Sequence, residues 1–281
     1  MIKKIGSLAL AILLLAGLLA GCGGGGNDPA LVGTWAWDET SSWEWVFEAD
    51  GSGTRGVQGH QQDSFEWSTN GSRVTLRVDS NRERWDFAVD GDNLTMSSGN
   101  VTYAYSRVGR DTALTGEWAW DEDGSFIFDL GADGQGTRGF VPSVESFEWT
   151  TTADGRLTLW FGAQYQEWNY SFDGGVMTIV NTRFANEVYS YVRLEQNAAF
   201  IGTWAWDEDD DFEYVFSADG TATRGFSSDI VSFEWATAAN GQIIMWFDTH
   251  TESWQYSFDG DLLTIDSNQN PMVWSYIRVS E

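Results

Sequence analysis

The chain has 281 residues, of which 42 are acidic and 15 are basic, so its formal net charge is −27. Such an acidic surface repels the phosphate backbone, and we therefore exclude nucleic acids as partners. Cys22 is the only cysteine, which excludes a disulfide bond within the chain.

The first 22 residues have the pattern of an export signal. Lys3 and Lys4 precede an apolar stretch, residues 8–19, that is too short for a comfortable membrane span. The segment ends in Leu19-Ala20-Gly21-Cys22, which resembles the lipobox of bacterial lipoproteins. This resemblance implies that residues 1–21 are a cleaved signal peptide, that Cys22 is lipidated, and that the membrane is a partner through the lipid anchor. The alternative is an ordinary secretory signal with an incidental cysteine.

A glycine-rich run follows the cysteine, and we predict that residues 22–30 form a flexible tether. The residue after Cys22 is Gly23 rather than aspartate. By the usual sorting rule of such lipoproteins, this implies the outer membrane of a bacterial envelope. The periplasmic and the external face both remain open.

One segment of roughly 80 residues, long enough to bury its own core, is repeated three times in the remaining chain. Each copy opens with Gly-x-Trp and closes with Tyr-x-Arg. The openings and closings are Gly33-Thr34-Trp35 and Tyr105-Ser106-Arg107, Gly116-Glu117-Trp118 and Tyr191-Val192-Arg193, and Gly202-Thr203-Trp204 and Tyr276-Ile277-Arg278. The sequence therefore predicts three tandem domains, at residues 31–108, 114–194 and 200–279.

Within each copy the apolar residues alternate with polar ones, as in Trp43/Trp45/Phe47 and Trp85/Phe87/Val89. This period of two is typical of half-buried β-strands. Asn70-Gly71 and Asp90-Gly91 are strong hairpin signals between such runs. We predict an all-β protein in which each repeat has about eight antiparallel strands that close as an up-and-down barrel.

Gly-x-Trp on the first strand, with an arginine near the end of the last, resembles the signature of the lipocalins and calycins. The resemblance implies that the arginine packs across the tryptophan and closes one end of the barrel. The implied pairs are Trp35 with Arg107, Trp118 with Arg193, and Trp204 with Arg278. It also implies a carried hydrophobic ligand. However, most of the 17 tryptophans fall on the inward phase, so we expect filled barrel cores instead.

Two further motifs recur in every copy, Thr-Arg-Gly and Ser-Phe-Glu-Trp. If the two segments form a hairpin, each arginine comes to lie about opposite a glutamate. The predicted cross-strand ion pairs are Arg55 with Glu66, Arg138 with Glu148, and Arg224 with Glu234. We interpret these pairs as structural, and a catalytic Arg/Glu site is the alternative.

Three large apolar residues fall on the outward phase of their strands: Trp160, Ile244 and Trp246. Copy one has Arg77 at the position of the two tryptophans. Exposed tryptophans on polar faces often mark contact sites. The candidate partners are a glycan, another envelope protein, and the neighbouring repeat.

The residue patterns of enzymes are missing from this sequence. The two histidines, His60 and His250, occupy non-equivalent positions, and no nucleophile motif or metal spacing includes them. The run Asp207-x-Asp209-x-Asp211 has the spacing that begins a calcium loop but lacks its later glycine and glutamate, so we interpret it as a solvated turn. We predict a non-catalytic binding module without a cofactor or metal. A carrier of a small hydrophobic ligand and a glycan-binding protein are the alternatives.

Overall fold

The structure, a computed structural model, describes residues 26–266 and 272–279, so the predicted signal peptide and Cys22 lie outside the described residues. The first repeat has strands β1 (Gly33–Trp37), β2 (Thr40–Phe47), β3 (Ser52–Val57), β4 (Asp63–Asn70), β5 (Arg73–Val78), β6 (Asn81–Asp90), β7 (Asn93–Ser98) and β8 (Val101–Gly109). The second has β9 (Gly116–Trp120), β10 (Phe126–Leu130), β11 (Gln135–Phe140), β12 (Ser143–Thr152), β13 (Arg156–Phe161), β14 (Gln164–Asp173), β15 (Val176–Asn181) and β16 (Val188–Glu195). The third has β17 (Gly202–Trp206), β18 (Phe212–Phe216), β19 (Thr221–Phe226), β20 (Asp229–Ala238), β21 (Gln242–Trp246), β22 (Thr251–Asp259), β23 (Leu262–Asp266) and β24 (Val273–Arg278). Short 3-10 helices, Thr112–Leu114 and Ala198–Phe200, precede β9 and β17.

Each strand of the first repeat pairs antiparallel with the next strand in the chain. β8 then pairs back onto β1, with Arg107 opposite Trp35, and this pairing closes an eight-stranded antiparallel barrel. The predictions of an all-β fold and of an eight-stranded up-and-down barrel are confirmed. Strands β9–β16 and β17–β24 repeat the same cycle of pairings, and β16 and β24 return to β9 and β17.

The alternation in the sequence explains the packing. In β4 the burial follows the predicted period of two, since Phe65 and Trp67 are buried while Glu66 between them is exposed. Each repeat gathers its inward residues into a separate hydrophobic cluster, and a fully buried tryptophan of the opening strand lies in each: Trp35, Trp118 and Trp204. Each repeat thus has a buried cluster of its own.

A short segment before the first strand of each repeat plugs one end of its barrel. It places one large apolar residue, Leu31, Leu114 or Phe200, with no exposed surface. The carbonyl oxygen of that residue accepts a hydrogen bond from the indole Nε1 of the opening tryptophan, at 2.8, 2.8 and 2.7 Å respectively. The buried indole N–H is thereby satisfied, which is the usual condition for burying a polar group.

The closing arginine completes this end. The Arg107 guanidinium lies 4.0 Å from the ring centroid of Trp35, and Nη1 donates to the carbonyl of Val32 at 3.1 Å. In the later repeats Arg193 and Arg278 each lie 4.2 Å from the rings of Trp118 and Trp204. The glycine of Gly-x-Trp makes room for this arrangement: a Cβ on Gly33 would lie 2.7 Å from Nη1 of Arg107, and its φ is +129°.

The described part of the predicted flexible tether, residues 26–30, makes hydrogen bonds to the first barrel. Gly26 forms a β-bridge with Thr69, whose backbone N–H and hydroxyl both donate to the Gly26 carbonyl. In the second repeat the corresponding residue, Thr151, pairs with Gly109 at the end of β8. Gly26 thus occupies the place that Gly109 occupies in the second repeat, where it gives an open backbone edge a hydrogen-bonding partner.

We expect Arg107→Ala to lower the free energy of unfolding of the first barrel by about 2 kcal/mol, because it removes a cation–π contact and hydrogen bonds to the plug. Denaturant titration followed by tryptophan fluorescence measures this loss, and hydrogen exchange locates it in β1 and β8. Arg84→Ala is the matched control, since Arg84 is exposed in the same barrel. Equal stability of the two variants would contradict a closing role for Arg107.

Candidate functional site

The three residues predicted to face outward from their barrels are covered in the structure. Trp160 is 3% exposed and Ile244 is fully buried. Trp246 is half-buried, and its Nε1 donates to the carbonyl of Gly124 in the second repeat at 3.0 Å. Gly124 also lies against Ile244, since a Cβ there would come within 2.8 Å of the isoleucine side chain. Of the alternatives, the neighbouring repeat is therefore the partner of Trp246 and Ile244.

This junction between the second and third repeats is apolar. Its buried cluster consists of Ala119, Val192, Ala238 and Ile244, with Ile127, Val176, Leu194 and Trp246 packed against it. β16 continues past its barrel and pairs with β20, placing Leu194 opposite Ala238. The sequence signal for this contact was the outward tryptophan. The first repeat has Arg77 at the equivalent position, where its side chain is exposed.

The junction between the first and second repeats uses the same positions but is polar. The Glu167 carboxylate accepts hydrogen bonds from the Ser41 hydroxyl at 2.9 Å and from the Ser42 backbone N–H at 2.8 Å. The hydroxyls of Ser41 and Thr158 are 2.8 Å apart. Trp160 lies on the same strand as Thr158 and faces the same way, so β2 of the first repeat covers this surface.

Glu44 is a buried acid at this polar junction. It is 6% exposed and stands at the position in β2 that corresponds to Ile127 of the apolar junction. Burial raises the pKa of its carboxyl to about 7, from an ordinary value of 4.5. No side-chain hydrogen bond of Glu44 to another described residue offsets this burial, so its ionisation works against the folded state.

The predicted ion pairs of the Thr-Arg-Gly motifs are wrong in their partners. The register sets Arg55 opposite Asp63, three residues before Glu66, and sets Arg138 opposite Glu145 instead of Glu148. Arg224 stands opposite Val231, and its carboxylate partner is Glu252, not Glu234. The glutamates of Ser-Phe-Glu-Trp point outward, whereas the three arginines point into the barrels.

In the first and third barrels the inward arginine is held by a glutamate of the sixth strand. Arg55 donates from Nη1 and Nη2 to both oxygens of Glu83, at 2.8 and 2.9 Å. Arg224 does the same to Glu252, at 2.6 and 2.7 Å. The hydrogen bond from Arg55 holds the pKa of Glu83 below its usual range. Such bidentate, charge-assisted pairs satisfy both the arginine and the acid.

A tryptophan two residues further on donates to the same glutamate. Trp85 Nε1 lies 3.2 Å from Glu83, and Trp254 Nε1 lies 3.2 Å from Glu252. The shared sequence pattern is Glu-x-Trp, and aligning the repeats on this tryptophan would have identified these residues without the structure. The longer identical motifs, Thr-Arg-Gly and Ser-Phe-Glu-Trp, do not include these residues.

The second barrel departs from this arrangement at one residue. Gln166 stands where the others have glutamate, and its Oε1 accepts a single bond from Arg138 Nη1 at 2.8 Å. Arg138 Nε donates to Glu145 at the rim at 2.9 Å. The equivalent tryptophan, Trp168, is 6% exposed, and its Nε1 is buried without a hydrogen-bond acceptor in the described part of the chain.

This departure lies in a cleft of about 600 Å³ at the barrel end opposite the Trp118–Arg193 pair. The cleft is lined by aromatic rings together with Arg138 and Gln166; the rings include Trp120, Phe126, Phe128, Trp168, Tyr189 and Tyr191. The expectation of filled cores is therefore wrong for the second barrel. Two structural differences from the first barrel accompany the space.

The first difference is ring size, since Phe126 and Phe128 stand where the first barrel has Trp43 and Trp45. The second difference is a longer loop at the barrel mouth. β15 and β16 are joined by residues 182–187, whereas only residues 99–100 join β7 and β8. Side chains of this longer loop, Arg183, Phe184 and Glu187, extend the wall of the cleft.

The acidic turn at residues 207–211 is held by its own residues: the backbone N–H of Asp211 donates to the Asp209 carboxylate at 3.2 Å. Within residues 26–266 and 272–279, no group of three or more histidine, cysteine or acidic residues is arranged to hold a metal ion. No helix in that part of the chain is long and apolar enough to cross a membrane. The cleft of the second barrel is the candidate functional site, because it combines an aromatic lining with the side chains of Arg138 and Gln166.

We expect the double variant Trp160→Ala with Trp246→Ala to lower the melting temperature, because it removes a ring from each junction. Losses of this kind cost about 3–5 kcal/mol when a buried tryptophan is truncated. Arg77→Ala changes the equivalent exposed position of the first repeat and should leave the melting temperature unchanged. A double variant with the melting temperature of the wild type would contradict a stabilising role at the junctions and would favour a free binding surface.

We expect Glu44→Gln to stabilise the protein more at pH 8 than at pH 5. The pKa of Glu44 is raised on folding, so its carboxyl binds more protons in the folded than in the unfolded state between pH 4.5 and 7, and stability falls as pH rises through this window. The gain at pH 8 should reach about 2–3 kcal/mol. Thermal unfolding at both pH values measures it, with the exposed Glu39→Gln as control. An equal gain in stability at pH 5 and pH 8 would contradict the raised pKa of Glu44.

The comparison that informs the site is the internal one between the three repeats. No protein-family model matches the chain, and no curated protein matches it. The differences between equivalent positions, above all at Gln166, are therefore the observations from which a function can be argued.

Proposed function

We propose that the chain is a lipid-anchored lipoprotein of the bacterial envelope, built from three tandem lipocalin-like barrels, and that it binds small ligands without catalysis. The anchor rests on the lipobox sequence that ends in Cys22. The domain assignment is supported by the repeated closing pairs and by the separate cores of the repeats. Non-catalytic binding is supported by the absence of nucleophile motifs from the sequence.

The cleft of the second barrel is the observation on which ligand binding rests. Its volume of about 600 Å³ lies within the range of small-molecule sites. An aromatic lining with a few polar groups is also typical of such sites. Of the functions considered from the sequence, a carrier of a small, largely apolar molecule fits this geometry best. Glycan binding through Trp160 and Trp246 loses its support, because neither ring is free.

The second barrel should bind the neutral, apolar dye N-phenylnaphthylamine, and Phe128→Trp should abolish this binding. The variant places in the cleft the ring type that Trp45 contributes to the first barrel, and so fills the space without adding charge. Dye fluorescence on titration measures the binding. Tyr214→Trp makes the same change at the equivalent position of the third barrel and should leave binding unchanged.

Native mass spectrometry of the protein purified gently from its own envelope gives a second readout. A reproducible small-molecule adduct that is lost in Phe128→Trp would support the carrier function. If Phe128→Trp binds the dye as the wild type does, or if Tyr214→Trp and not Phe128→Trp abolishes dye binding, the cleft is not the binding site and the proposal is wrong.

A further inference from the structure

The replacement of glutamate by Gln166 leaves several donors in the cleft without an acceptor. In the other two barrels, a carboxylate accepts two bonds from the arginine and one from the tryptophan. The amide of Gln166 offers one oxygen, which Arg138 Nη1 already uses. Among the described residues, Arg138 Nη2, Gln166 Nε2 and Trp168 Nε1 donate no hydrogen bond. A cluster of donors that faces an open cleft is suited to an acceptor from outside.

The arginine is also less neutralised than its equivalents. Its side chain is only 14% exposed, and Glu145, its one carboxylate partner, lies at the rim with 57% exposure. In the third barrel the arginine additionally donates to the hydroxyl of Tyr214 at 3.1 Å, whereas Phe128 at the equivalent position has no hydroxyl. A mostly buried guanidinium is costly unless a charged partner satisfies it.

We propose that the cleft of the second barrel recognises a small aromatic or aliphatic carboxylate, whose carboxylate group occupies the place that the Glu83 and Glu252 side chains occupy in the other barrels. The inference rests on the proposed ligand-binding function. Arg138 binds the carboxylate through Nη2, and Gln166 and Trp168 donate from their side-chain N–H groups. The apolar body of the ligand packs against the rings of Phe126 and Phe128.

The other charged groups around the cleft are already engaged. Glu167 points to the opposite face of its strand, where it accepts bonds from Ser41 and Ser42. The Glu187 carboxylate accepts a bond from Asn181 at 2.8 Å. Arg183 donates to the hydroxyl of Tyr165 at 3.0 Å and adds a second positive charge to the lining. The net charge of the chain repels an anion at a distance, but salt screens that repulsion beyond about 10 Å.

The test compares two matched probes, naphthylacetate and its neutral analogue naphthylethanol, by isothermal titration calorimetry on the purified mature protein at pH 7. We expect naphthylacetate to bind at least about tenfold more tightly, because charge-assisted hydrogen bonds are stronger than neutral ones. Gln166→Glu should weaken naphthylacetate binding by at least about tenfold, since the new carboxylate takes the donors and repels the ligand. The affinity of Gln166→Glu for naphthylethanol should differ from that of the wild type by less than about twofold, because the hydroxyl of this probe is neutral.

Two controls separate charge from folding. Gln164→Glu adds the same charge at an exposed position of the same strand and should leave both affinities unchanged. Gln166→Glu reproduces the residue that the other barrels contain, and it should raise the melting temperature rather than lower it. Arg138→Gln provides a second variant, which should abolish the preference for naphthylacetate.

The outcomes distinguish this inference from the proposed function. Equal binding of the two probes, unchanged in Gln166→Glu, overturns the carboxylate site and leaves the carrier function intact. A preference for naphthylacetate that persists in Gln166→Glu also overturns the site as assigned. If neither probe binds and N-phenylnaphthylamine does not bind either, both the inference and the carrier function are wrong.

Discussion

The contact between the opening tryptophan and the closing arginine is the constraint on which each barrel depends. It joins the first strand to the last, so it forms only when all eight strands are in register. Trp35 is bound on one side by the plug carbonyl of Leu31 and covered on the other by Arg107. Because the two residues are also direct partners in the β1–β8 pairing, one pair fixes both the closure of the sheet and the seal of its end. The opposite end is not bound by this constraint, and it is there that the repeats differ.

The same positions form both junctions between repeats, although the chemistry of the two junctions differs. Ser41, Thr158 and Glu167 bond to one another at the first junction. The equivalent residues at the second junction are Gly124, Ile244 and Ser253, and two of these pack as an apolar contact. The positions are equivalent because each last strand runs on to pair with the fourth strand of the next repeat. The strand geometry fixes where the repeats touch, and the side chains decide whether the contact is polar or apolar.

The sequence predicted the features that depend on short-range patterns. Alternation and Asn-Gly or Asp-Gly turns located the strands, and the repeated motifs located the tryptophans and arginines that lie opposite each other. It failed where a residue's partner comes from register or from another repeat. An offset of three residues in the β3–β4 hairpin moved Arg55 from Glu66 to Asp63 and turned it inward toward Glu83. At Trp160 the sequence pattern indicated the outward phase and left three partners open, because the phase of a strand says which face a side chain occupies but not what covers that face.

The candidate site could be found from the sequence only by comparing equivalent positions, since the informative residue there is an exception. A glutamate-to-glutamine change removes a negative charge while keeping the size of the side chain, so the fold of the barrel is retained and the local electrostatics change. The cost falls on Arg138 and on the buried N–H of Trp168, both of which have full partners in the other barrels. A buried donor without an acceptor is rarely retained in a folded protein without a reason. Here the unsatisfied donors lie at a barrel mouth whose rings are smaller and whose loop is longer than in the first barrel. The missing acceptor distinguishes the second barrel from both others, and a ligand site explains it more simply than relaxed packing, because relaxed packing would not place the missing acceptor where the space opens.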